Sequence, residues 1–86
     1  MEIEQFLLDA ERKQYQPYYA CYLFCFDMPI GEFRESNDNY INWINERHRE
    51  FRPHAKDHTS SGAYFNEFMT YLKKYVTENR ITAAST

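Results

Sequence analysis

The residues best equipped for chemistry lie in one run, Arg47-His48-Arg49-Glu50-Phe51-Arg52-Pro53-His54-Ala55-Lys56-Asp57-His58. It holds all three histidines of the 86-residue chain and four of its ten lysines and arginines, against two acids. The whole chain carries a net charge of -3, so the remainder is acidic and this run is a local basic patch. Its cations are Arg47, Arg49, Arg52 and Lys56. Such groups can grip a phosphate, a nucleic-acid backbone or an acidic partner, and the imidazoles beside them titrate near neutral pH. The blander reading is a solvated helix terminus. Cations there complement the helix dipole and need no ligand.

Two further spacings carry chemistry. Cys21-x3-Cys25 and His54-x3-His58 both fall within the ligand spacings of Cys2His2 zinc sites, and one turn of helix would align each pair. The two pairs are much farther apart than in a classical finger. The cysteines also sit in the most apolar run of the chain, where a free thiol behaves as a small hydrophobe. The expectation is two buried thiols, no metal and no cofactor. Second, Arg49-Glu50-Phe51-Arg52-Pro53-His54 resembles the R-x4-H spacing of the helical HEPN ribonucleases. That resemblance implies Arg49 on the scissile phosphate and His54 on the proton. It covers six residues. Glu50 replaces the small polar residue usual after the arginine, and Pro53 interrupts the helix that would carry the histidine. There is no Gly-rich phosphate loop, nucleophile elbow or HExxH. With so little loop length a concave substrate pocket is hard to build, and the expectation is a protein that is not an enzyme.

The elements that must position these residues are helical. Glu2 to Gln14 reads as a first helix, with Ile3, Phe6, Leu7 and Ala10 at i, i+3, i+4 and i+7. Pro17 stops it and can open a second. The stretch from Pro17 to Pro29 has one charge, Asp27, and apolar residues at both parities. An element apolar all round is buried all round. We read it as a helix over 18–27, central to the fold. The alternative is a strand that pairs across a dimer, because no other segment offers a partner strand.

Ser36, Asn37 or Asp38 can cap a third helix running to about Arg52, where Pro53 ends it. Its expected inward face is Tyr40, Ile41, Ile44, His48 and Phe51, flanked by Trp43. Thr59, Ser60 or Ser61 caps a fourth helix, about 61–79, with Tyr64, Phe65, Phe68, Met69, Leu72, Tyr75 and Val76 on its apolar stripe. Residues from Arg80 onward read as a frayed tail. The fold class is therefore all-α, a small four-helix bundle in one domain over residues 1–80. The first, third and fourth helices pack on the second through Phe6, Leu7, Ile41, Ile44, Phe65, Phe68 and Leu72. The alternative architecture is three helices plus one strand paired across a dimer.

Composition bounds the function. Eight tyrosines, seven phenylalanines and one tryptophan are more rings than a core of this size readily hides. Some of them are expected at a partner surface, where aromatics are enriched. The candidates are Tyr18, Tyr22, Trp43, Tyr64 and Tyr71. Mild acidity argues against nonspecific nucleic-acid binding. Two cysteines are too few for a disulfide scaffold. No leader-like or membrane-spanning run is visible, and a cytoplasmic location is expected. The function that fits is a noncatalytic protein–protein interaction module, a regulator or inhibitor, whose partner is another protein or a second copy. The alternative is a helical nucleic-acid-binding protein using the Arg47–His58 patch. A small ribonuclease comes third.

Overall fold

The computed structural model describes residues 2–31, 38–56 and 61–81. Four α-helices follow one another: α1 (Ile3–Arg12), α2 (Pro17–Cys25), α3 (Asp38–Phe51) and α4 (Ser61–Asn79), with a 3₁₀ turn, Arg52–His54, after α3. The described residues form no strand. This is the expected all-α bundle, and α2 excludes the alternative strand. Ser36, Asn37, Thr59 and Ser60, named as possible caps, lie outside the described residues, as does His58.

α2 starts where its sequence says it should. Pro17 occupies the first turn, where a missing N–H costs nothing, and Gln16 before it is extended at φ -70°, ψ 141°. Tyr19 through Cys25 are buried without interruption. No polar face is left, so the other three helices must wrap this one, and all three pack directly on it. Rings make much of the contact. Phe24 meets Phe6 of α1 edge-on at 5.5 Å; Tyr22 meets Trp43 of α3 at 5.6 Å; Tyr19 meets Tyr40 at 4.9 Å. Edge-on and tilted pairs of this kind add roughly 0.5–1.5 kcal/mol beyond the area they bury.

Both ends of the α1–α2 hairpin close in the same way. After α1 the Tyr15 N–H donates to the Ala10 carbonyl (2.9 Å) and Gln14 N–H to Glu11 (2.9 Å); after α2 Met28 N–H donates to Leu23 (2.9 Å) and Asp27 N–H to Phe24 (3.2 Å). Gln14 and Asp27 take positive φ, 63° and 55°. These are Schellman closures with no glycine, and the first, between α1 and α2, turns the chain sharply enough to bring the two helices side by side.

Three sequence expectations are corrected. Arg80 is no frayed end. Its Nε donates to the Phe24 carbonyl (3.1 Å), its Nη2 pairs with Asp27 (3.0 Å), and its guanidinium lies 4.1 Å from the Phe24 ring centre. The Ile81 N–H then caps the Cys25 carbonyl at 2.8 Å. The chain after α4 thus satisfies the Cys25 carbonyl, which the end of α2 leaves open, and gives the Phe24 carbonyl a second donor. The inward face of α3 is also rotated. Trp43, Ile44 and Arg47 are buried, while Ile41 is 40 % exposed. Phe65 on α4, expected in the core, is likewise 40 % exposed.

Candidate interaction surface

The five aromatic candidates separate cleanly. Tyr22 and Trp43 are buried against each other and against Tyr40 and Phe26, so their rings are part of the core and offer a partner little surface. Tyr18, Tyr64 and Tyr71 are half-buried. The Tyr71 hydroxyl donates to Glu50 (3.2 Å), and burial with the nearby Glu50 carboxylate pushes its pKa up to about 12.

The basic patch loses one member. Arg47 is buried, with its guanidinium 4.3 Å from the Tyr75 ring centre and Nη2 at 3.2 Å from Glu50 and 3.5 Å from Glu46. Both acids are exposed and reach it from the solvent side. Its charge is therefore neutralised at home. Arg49, Arg52 and Lys56 are exposed and enter no ion pair among the described residues. Arg12, Arg47, Lys73 and Arg80, by contrast, each have an acid within 4.0 Å. The Lys56 backbone N–H donates to Glu67 at 3.1 Å, which ties the turn after α3 to α4.

Arg49 and Arg52 line a shallow concavity of about 470 Å³ with Asn45, His48 and Pro53. His48 links it to the aromatics. Its Nδ1 shares a 2.8 Å hydrogen bond with the Tyr64 hydroxyl, its ring stacks on Phe68 at 4.0 Å, and Tyr18 meets it edge-on at 5.7 Å. Burial, and then the Arg52 charge, lower its pKa below the ordinary 6.5. At neutral pH this histidine is a neutral linker between rings.

Tyr18 in turn stacks on the exposed Phe65 at 5.5 Å. Phe65 forms one wall of a groove of about 620 Å³ between α1 and α4. Leu7, Ala10 and Met69 supply its apolar floor, and Glu11 and Lys73 stand on its sides. Lys73 is already held by Glu4 at 3.2 Å. Sequence reasoning missed both Phe65 and this groove. Phe65 lies on the α4 stripe by periodicity, and periodicity does not say which edge of a stripe is left uncovered.

Among the described residues the other spacings do not assemble into sites. Cys21 and Cys25 are free, buried thiols, and burial pushes Cys21 up to about 12. Such a thiol gives up its proton reluctantly and is a poor metal ligand or nucleophile. Cys25 lies beside Asn79 at the far end of α4, whereas the turn carrying His54 is tied to Glu67. Among the described residues no three His, Cys, Asp or Glu gather closely enough to hold a metal ion. His54 is exposed and is not among the residues lining the concavity that holds Arg49. Among the described residues no helix is long and apolar enough to cross a membrane. Comparison of the chain with protein-family models, with curated proteins and with solved structures found no match.

Proposed function

We propose that this chain is a noncatalytic protein–protein interaction module that works through the face where Phe65, Tyr18 and the α1/α4 groove meet. The observation that carries the reading is Phe65, a large ring 40 % exposed, stacked on the half-buried Tyr18 and walling the α1/α4 groove. Isolated exposed apolar residues are ordinary; one that borders an apolar concavity is a contact surface in the making. The reading now rests on fewer rings than the composition suggested, because Tyr22 and Trp43 belong to the core. The nucleic-acid reading keeps Arg49, Arg52 and Lys56 but loses Arg47, whose charge Glu46 and Glu50 already offset.

A photo-crosslinking residue placed at Phe65 tests it in the native host, with Glu78 near the far end of α4 as the control position. A discrete protein adduct at position 65 and none at 78 is the expected result. No adduct at 65, or the same adducts at both positions, overturns the reading.

A further inference from the structure

A chain of ring contacts links the groove to the cationic concavity, and the two together make a track. Phe65 walls the groove, Tyr18 stacks on Phe65, His48 meets Tyr18, and His48 lines the concavity with Arg49 and Arg52. The track changes character along its length. From Lys73 to Phe65 it follows eight residues of α4, about 12 Å at the helical rise, over an apolar floor. Beyond Tyr18 it ends on two arginines with no acidic partner among the described residues. At its opposite end the cation, Lys73, is already matched by Glu4. Among the residues that line the track, unmatched positive charge is thus confined to one end.

From this pattern we propose that the track binds an acidic amphipathic helix of a partner protein. Its apolar stripe lies on Leu7, Phe65 and Met69, and its carboxylates meet Arg49 and Arg52. The inference rests on the interaction reading above and adds the chemistry of the partner. A helix is the occupant that suits the shape. The described residues present no sheet edge for a strand to extend, and the groove between two helices accepts side chains at i, i+3, i+4 and i+7. Carboxylates are the groups that suit the end, because arginine forks bind them in bidentate fashion. A nucleic acid would use the arginines but leave the apolar floor in water, and a chain of net charge -3 repels a polyanion elsewhere. Glu11, on the α1 side of the groove, sets a further condition: the acids of the partner must concentrate toward the Arg49 end.

Fluorescence anisotropy with the full chain decides the matter. The probes are two labelled amphipathic peptides of about 14 residues, enough for nearly four helical turns. Both carry leucine and phenylalanine at i, i+3, i+4 and i+7; one carries glutamate at the flanking positions, the other lysine. The acidic peptide is expected to bind and the basic one to bind at least about 10-fold more weakly, with the gap narrowing as salt is added. Arg49→Glu with Arg52→Glu is expected to cost the acidic peptide about 10-fold or more, as reversal of interfacial charges does. Both positions are exposed, so circular dichroism should show that double variant folded. Phe65→Ala weakens both peptides alike. Equal affinity for the two peptides overturns the inference. So does indifference to the arginine changes, tighter binding of a single-stranded oligonucleotide, or self-association of the chain that hides Phe65. The two levels fail separately: a crosslink from position 65 to a basic or uncharged segment sinks the acidic helix and leaves the interaction reading standing, whereas no crosslink removes the reading itself.

Discussion

Two seams of the molecule combine arginine with aromatic rings, and they do opposite things with the combination. The inner seam, between α3 and α4, encloses Arg47 beneath Tyr75, near Trp43, with Glu46 and Glu50 on its charge. The outer seam has Arg49 and Arg52 in water, beside His48, Tyr64, Tyr18 and a half-exposed Phe65. Arg47 and Arg49 are two residues apart, which on a helix is a rotation of about 200°. Nothing in residue type separates them. What separates them is whether an aromatic from α4 and an acid from the same helix turn can both reach the guanidinium. The first seam spends its charge on the fold; the second leaves its charge available.

The sharpest way to break that contrast is through the two phenylalanines of α4 that bracket it. Phe68 is fully buried and touches His48, Phe51, Tyr64 and Tyr71, so it is the floor beneath the outer seam. Phe68→Ala should cost about 3–5 kcal/mol, a large share of the stability of a domain this small. In thermal unfolding that is a fall of at least about 12 °C, or no folded state at all. Phe65→Ala, three positions earlier, should cost about 1 kcal/mol or less, because half of its ring is already in water. Similar losses for the two would mean that Phe65 is a core residue and the outer seam is no open surface.

The arginines give the next largest effect. Arg47→Ala should cost about 2 kcal/mol in urea unfolding, through lost packing of the stem and lost contact with the Tyr75 ring. Arg47→Met should restore most of this, since the stem volume returns and the two acids left behind are solvated. Arg49→Ala should stay within about 0.5 kcal/mol of wild type. If Arg49→Ala is as costly as Arg47→Ala, the division into an enclosed and an available arginine is wrong.

Much of this architecture was legible from residue order. The central place of α2 followed from its lack of any polar face, and α4 was bounded at 61 and 79 by its stripe and its polar flanks. The third helix was harder. Its apolar residues allow a face through Ile41 and Ile44, or one through Trp43, Ile44 and Arg47. Pattern reasoning discards the second because it contains an arginine. The structure takes it because a guanidinium can lie on a tyrosine ring while Glu50 accepts a hydrogen bond from its Nη2 and Glu46 pairs with the same nitrogen from outside. That is a property of the α3–α4 pairing and is written in neither helix alone. The same holds for Arg80, whose partners are the carbonyl of Phe24 and the carboxylate of Asp27, more than fifty residues earlier. The candidate surface was legible only in part. Tyr18, Tyr64, Arg49 and Arg52 were named from the sequence. Phe65 and the α1/α4 groove depend on how far two helices diverge, which no periodicity reports.

The smallest of these effects, and the one that sharpens the comparison most, is the acid response of His48. Groups from every side face it: Phe68 and Tyr64 from α4, Tyr18 from α2, and Arg52 from the turn after its own helix. Two influences oppose its protonation, burial first and Arg52 second. One favours it, the face of the Phe68 ring at 4.0 Å, which attracts a cation. The net direction is a lowered pKa. The unfolded chain then binds the proton more readily than the fold, so stability rises with pH across this window. The contribution of neutral His48 is fully present above the unfolded value near 6.5, and it is lost as pH falls through the folded value. Melting temperatures taken from about pH 7.5 to about pH 5.5, above the main carboxylate range, should therefore fall more steeply for wild type than for His48→Gln. Parallel profiles would mean that the Phe68 face offsets burial and Arg52. A wild type that gains stability on acidification would go further. It would make His48 a third cation of the outer seam, paired with a ring in the manner of Arg47, and the two seams would then differ only in exposure.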